Sequence, residues 1–200
     1  RSPLNDTNPF ATRFVRPGAI EFILPDGVTL DGLVDQLDLS DWRGQILGPH
    51  GTGKSTLLHT LQPVLIERRR EILWITQNQG ERSLAVTAEQ AASWNAQTLV
   101  IVDGYEQLSW LAKRWLSATC QRSGAGLLVT SHTDVGLPTL FTTQASEALA
   151  CEVVAQILPD DAAEIAVEDV SRCYQQYAGN VRETLFALYD LYERRRSKRS

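Results

Sequence analysis

The chain has 200 residues, 43% of them hydrophobic and 22% charged, which suits one α/β domain with a small appendage and supplies ample apolar material for a core. A net charge of −5 excludes a general polycationic surface for sequence-independent nucleic-acid binding. The exception is the basic run Arg194-Arg195-Arg196-Ser197-Lys198-Arg199, read as a solvated helix end in preference to a nucleic-acid or membrane contact. No apolar run approaches the roughly 20 residues of a membrane span and no signal peptide is visible, so a cytoplasmic protein without membrane attachment is expected. Cys120, Cys151 and Cys173 are odd in number and lack C-x-x-C spacing, and three histidines in all show no zinc-site spacing; free thiols in a reducing compartment are expected.

Taken in order, Pro3, Asn5, Asp6, Asn8 and Pro9 punctuate the first fourteen residues too densely for a regular element. Residues 19–24 read as a short strand closed by the turn Pro25-Asp26-Gly27. Leu30, Leu33, Val34 and Leu37 then fall on one helix face. Gln45, Ile46 and Leu47 end a buried strand, and Gly48-Pro49-His50-Gly51-Thr52-Gly53-Lys54-Ser55 follows. A helix opens there with Thr56 and Leu57 and runs to about residue 69, with Pro63 expected to kink or end it. A second strand spans residues 71–76. Thr87-Ala88-Glu89-Gln90 has the form of a capping box, so a helix carrying Ala91, Ala92 and Trp94 is expected.

Residues 98–103 form the next strand; Leu99 to Val102 are continuously apolar, as in a parallel strand covered on both faces. An amphipathic helix covers residues 108–122, ended by Gly124 and Gly126. A fourth strand covers residues 126–132, and residues 139–143 a fifth. Strand and helix alternate to about residue 144, which argues a parallel sheet with helices on both faces. Three helices follow, at residues 145–158, 167–177 and 181–195, separated by Pro159-Asp160-Asp161 and by Gly179-Asn180. The expected organisation is an N-terminal segment packing on the core (1–40), a nucleotide-binding core (41–144), and a helical lid with a basic tail (145–200).

The stretch Gly48 to Ser55 satisfies G-x-x-x-x-G-K-[ST] at every fixed position, in the strand–loop–helix context that this phosphate-binding pattern requires. The loop curls round phosphates with its N–H groups inward, and side chains at Gly48, Gly51 and Gly53 would obstruct the curl. Gly48, Pro49, His50, Gly51, Thr52, Gly53, Lys54, Ser55 and Thr56 are therefore the candidate nucleotide-binding residues. Lys54 places an ammonium on the β- and γ-phosphates, and Ser55 offers a hydroxyl to Mg²⁺. Asp103 closes an apolar strand at the end where parallel sheets bind ligands, and is the second Mg²⁺ candidate.

Hydrolysis also needs a group to orient the attacking water. In many nucleotide hydrolases a Glu directly follows this Asp, whereas here Gly104 does. Glu106, three positions beyond Asp103, has two readings: that water-positioning group, or an acidic residue placed by the dipole at a helix start. Thr130, Ser131 and His132 end the fourth strand as candidates to sense the γ-phosphate. Residues 14–20 either fold against the base or simply pack at the N-terminus. Asn180 and Glu183 suit a capping box on the last helix, which leaves Arg182 on its first turn for a phosphate or a surface ion pair.

Together these motifs resemble the additional-strand class of P-loop ATPases, and specifically the AAA+ ATPases, over about residues 40–195. The resemblance implies a three-layer α-β-α domain with a mostly parallel five-stranded sheet in the order 5-1-4-3-2 and a small C-terminal helical lid. It also implies ATP rather than GTP, with Mg²⁺. Residues 126–132 look like the family's sensor-1 strand, and Gly179 to Glu183 like the start of its sensor-2 helix, with Arg182 as the phosphate-contacting arginine. Two departures bear on rate and assembly: the Glu after Asp103 is missing, and residues 133–138 hold no arginine where the family places its trans-acting finger, worth about 10³–10⁵ in rate. An ATPase driving an unnamed protein partner or homo-oligomer is thus expected. The alternatives are a nucleotide-dependent switch and, against the extra strand, a P-loop kinase.

Overall fold

The computed structural model describes residues 8–77, 80, 82–158 and 165–197. The expectations resting on Pro3, Asn5 and Asp6, on Pro159-Asp160-Asp161, and on Lys198 and Arg199 lie outside the described residues. The elements are α1 (Thr12–Val15), α2 (Leu30–Leu39), β1 (Arg43–Leu47), α3 (Lys54–Glu67), β2 (Glu71–Thr76), α4 (Ala88–Ala91), β3 (Thr98–Asp103), a 3-10 turn (Tyr105–Gln107), α5 (Trp110–Ser123), β4 (Gly126–Ser131), β5 (Thr139–Thr142), α6 (Glu147–Ile157), α7 (Val167–Gln176) and α8 (Val181–Ser197). They divide between two compact units, one of residues 24–49 and 58–143, the other of residues up to 23, 50–57 and from 144 on.

The first unit holds the sheet, in the order β2-β3-β4-β1-β5. Every pairing among the described strands is parallel, and the implied order and largely parallel sheet hold. All of β4, and all of β3 but Asp103, is buried, which is why both read as unbroken apolar runs. Val100, Val102, Leu127 and Val129 share a cluster with Leu116 and Cys120 of α5; Leu99, Ile101 and Leu128 alternate with them and are buried on the opposite face. Leu33, Val34 and Leu37 of α2 are buried as their spacing predicts. Burial pushes the Cys120 thiol up to about 11, which makes it inert, and all three cysteines are free. Among the described residues no helix is long and apolar enough to cross a membrane.

Four expectations change. Residues 19–24 form no strand; the chain there makes only an isolated bridge between Pro17 and Ile20, because an extended segment becomes a strand only beside a partner. Pro63 does not end α3, which runs through it to Glu67. The capping box at Thr87 and Gln90 is present, but its helix lasts one turn and leaves Trp94 outside. Gly124 alone caps α5, and Gly126 is already the first residue of β4.

The second unit centres on α6, α7 and α8. Phe10 is fully buried in their cluster, beside Ala150, Val154, Val170 and Leu188. Asn8 donates to the Tyr189 carbonyl at 3.0 Å and to Glu193 at 2.8 Å, so the start of the described chain is ordered by partners far away in sequence. Asp169, nearly buried, accepts from the Ala166 N–H and from both terminal nitrogens of Arg195, one at 2.9 Å. The basic run is thus partly structural. The Arg195 hydrogen bond, against the opposing effect of burial, holds the Asp169 carboxyl below its usual value. A depressed carboxyl stabilises the fold above its unfolded pKa of about 3.9 and loses that contribution as pH falls through the folded value. Arg195→Ala is expected to cost about 1.5–3 kcal/mol near neutral pH, with the gap to wild type closing under acid. Urea unfolding of both proteins at neutral pH and near pH 3 measures it.

Candidate functional site

The phosphate-loop pattern leaves β1 and enters α3. Gly51 and Gly53 have φ of +73° and +91°, backbone that side chains rarely tolerate. A Cβ on Gly51 would collide with the side chain of Asn180, and one on Gly53 would lie 3.0 Å from the Phe22 ring. Asn180 Oδ1 also accepts from the Glu183 N–H at 3.2 Å, so the residue that caps α8 abuts the loop as well. Thr52 and Lys54 are buried, Ser55 and Thr56 half-buried, and Pro49 and His50 exposed. The Leu57 N–H bonds the Gly53 carbonyl, which starts α3 with its positive end toward the loop. Arg182 is exposed on the first turn of α8, its guanidinium 5.7 Å from the centroid of the Phe186 ring one turn on.

Parallel strands bring the C-terminal ends of β3, β4 and β1 to one edge of the sheet. Asp103 ends β3 there. The buried Thr130 hydroxyl donates to Asp103 Oδ1 at 2.7 Å and accepts from the Gly104 N–H at 2.8 Å. Thr130 thereby holds the carboxylate and the turn that follows it. Ser131, fully buried, accepts at its carbonyl from the Gly48 N–H at 3.2 Å. His132, the first residue past β4, has Nδ1 at 3.1 Å from the Gly48 carbonyl oxygen and Nε2 at 2.7 Å from Glu106 Oε1. Glu106 sits in the 3-10 turn beyond β3, and its Oε2 is buried without a hydrogen-bond partner among the described residues.

Hydrogen bonds thus join Asp103, Thr130 and Gly104 in one group and Glu106, His132 and Gly48 in another. Neither the Thr130–Asp103 bond nor the packing of Asn180 on Gly51 was evident in the sequence. The one sequence signal for the first is a hydroxyl residue near the end of the strand now seen to pair with β3. Thr130→Val keeps the shape and leaves two half-buried groups, Asp103 Oδ1 and the Gly104 N–H, without this partner, so a loss of about 1–3 kcal/mol is expected. It reads as a lower urea midpoint at unchanged m.

The donor chemistry fits a nucleotide with Mg²⁺. The loop at Gly51 and Gly53 has no room for Cβ atoms, as a backbone phosphate cradle requires. Ser55 and Asp103 offer hard oxygen donors, and Mg²⁺ ordinarily takes one or two carboxylates with phosphate and water making up the rest. Among the described residues there is no group of three or more His, Cys, Asp or Glu that could hold a metal ion.

No protein-family model matches the chain, and no curated protein matches it significantly. Solved structures do. AMPPCP-bound DnaA from Aquifex aeolicus is similar at 15% identity and a TM-score of 0.57, over 84% of this chain and 61% of that one. A point variant of Thermotoga maritima RuvB is similar at 14% identity and 0.54, over 79% and 60%. A DNA replication initiation factor is similar at 14% identity and 0.55, over 88% and 66%. The chain therefore has an AAA+-like P-loop NTPase fold, and spans about three-fifths to two-thirds of the length of these solved chains.

Proposed function

From an AAA+-like P-loop fold as premise, we propose that this chain binds ATP with Mg²⁺ and hydrolyses it, and that nucleotide state moves residues 145–200 as a lid acting on a protein partner or a second copy. The observation that carries the reading is the complete phosphate loop, whose backbone at Gly51 and Gly53 excludes side chains. Its N–H groups and Lys54 bind the phosphates, and Arg182 couples the γ-phosphate to the lid. Ser55 and Asp103 would hold Mg²⁺, which supplies charge neutralisation on the phosphate oxygens. Thr130 orients Asp103, and Glu106 orients the water. A cytoplasmic location fits this role. Nucleic acid is not assigned, since Arg195 of the basic run is engaged by Asp169.

A second reading, a switch with negligible hydrolysis, is favoured by Gly104 in the place where such hydrolases carry a glutamate. Its two lid states would need different affinities for ATP and ADP. Mg²⁺-dependent phosphate release from ATP, with Lys54→Ala as the blank, tests both. Release above the blank supports the ATPase. Lys54-dependent binding without release supports the switch. Absence of Lys54-dependent binding removes both readings.

A further inference from the structure

On the reading of this chain as an ATPase, the geometry points to His132 as the positioning residue of Glu106: it grips one carboxylate oxygen, leaves the other for the attacking water, and ties both to the first glycine of the phosphate loop. The hydrogen bonds lead there. His132 Nδ1 is 3.1 Å from the Gly48 carbonyl oxygen. A carbonyl only accepts, so Nδ1 carries a proton. A neutral ring protonated at Nδ1 has a bare Nε2, yet Nε2 is 2.7 Å from Glu106 Oε1. That is the spacing of a charge-assisted hydrogen bond, not of two facing lone pairs. The 2.7 Å contact therefore commits Oε1 to the His132 ring.

Oε2 remains. It is buried, and no group among the described residues donates to it. Buried acceptors are nearly always satisfied, and an exception calls for an explanation such as a catalytic role. The topology makes His132 the natural bridge. β4 lies between β3 and β1, so the residue just past β4 reaches Glu106 beyond β3 on one side and Gly48 beyond β1 on the other. Gly48 is held by both backbone groups, its N–H on Ser131 and its carbonyl on His132. On the far side of the turn the Lys113 ammonium lies 3.4 Å from the Glu106 carbonyl oxygen.

The bridge also answers the departure at Gly104. A glutamate directly after a strand is aimed by the strand, whereas one three residues on, in a 3-10 turn, needs an external hold, and His132 supplies it. In the step itself the water oxygen bonds to the γ-phosphorus. The bond from that phosphorus to the β–γ bridging oxygen breaks, its electron pair leaving with ADP. The water's proton passes to Oε2 and on to solvent. Because His132 also holds the Gly48 carbonyl, a nucleotide that shifts the loop shifts the carboxylate with it.

Two histidine variants separate the halves of the bridge. His132→Gln places an amide nitrogen near the Nε2 position and keeps the grip on Glu106. His132→Asn places one near Nδ1 and keeps only the link to Gly48. Phosphate release with Mg²⁺ and ATP is measured for wild type, both variants, Glu106→Gln and the His132→Asn/Glu106→Gln double, with ATP affinity and urea midpoints alongside. Glu106→Gln and His132→Asn are each expected to lose about 10²-fold or more, with the double no slower than Glu106→Gln alone. His132→Gln stays within about tenfold of wild type, one hydrogen bond of about 1 kcal/mol being lost, and all variants keep ATP affinity.

A purely structural histidine would make Asn and Gln alike and add its loss to that of Glu106→Gln. Either result, or a Glu106→Gln protein as fast as wild type, overturns the proposal. A wild-type chain that binds ATP through Lys54 but releases no phosphate also overturns it and leaves nucleotide binding standing. Failure of Lys54-dependent binding overturns the function reading itself.

Discussion

Lys54→Ala is expected to weaken ATP binding by roughly tenfold to a hundredfold. The ammonium is assigned to the β- and γ-phosphates, where a hydrogen bond to a charged group is worth about 1.5–3 kcal/mol and each 1.4 kcal/mol is about tenfold in affinity. Lys54 is the first residue of α3, where a cation opposes the helix dipole and alanine is the strongest helix former. Titration of wild type and variant with ATP and Mg²⁺, beside a urea unfolding curve of each, separates affinity from stability. Equal affinities would remove the phosphate loop from the nucleotide site.

Gly104→Glu is expected to destabilise the protein by about 2–4 kcal/mol and not to quicken hydrolysis, although it installs the carboxylate that many nucleotide hydrolases carry after the metal-binding aspartate. Gly104 has φ +87°, and a Cβ there would lie 2.9 Å from the Gln77 backbone oxygen. Two costs add: left-handed backbone in a residue with a side chain, and contact with a main-chain atom that cannot swing aside. The strain also falls on the Gly104 N–H that bonds Thr130, and through Thr130 on Asp103. Urea midpoints and phosphate release measure both halves of the expectation. A stable variant that hydrolyses faster than wild type would mean that the turn after β3 adapts and that Glu106 is dispensable.

Three segments depart from their local propensity, and for a common reason. Pro63 lies within α3 with its ring exposed; a proline there costs a hydrogen bond and a clash, and burial of Leu57, Leu58, Leu61 and Leu65 on the same helix outweighs that cost. Residues 19–24 have strand-like composition but pair with no strand. The segment around Asn8 and Phe10 looks irregular, yet Phe10 is buried among helices more than 130 residues further along the chain. In each case a distant partner, present or missing, decided what local propensity left open.

The elements and the phosphate loop were legible in the residues alone because each depends on positions a few apart: apolar runs for β3 and β4, helical spacing in α2, a capping box at Thr87, and glycines where a loop must curl round an anion. The family resemblance alone implied the strand order, and which side chains meet emerges only with the packed chain. No local pattern places β4 between β3 and β1, and strand order by itself does not make His132 a bridge from Glu106 to Gly48, Thr130 the holder of Asp103, or Asn180 a neighbour of Gly51. Side-chain hydrogen bonds reach about 3 Å, and which groups come within that reach is set by strand order and helix packing across the whole chain.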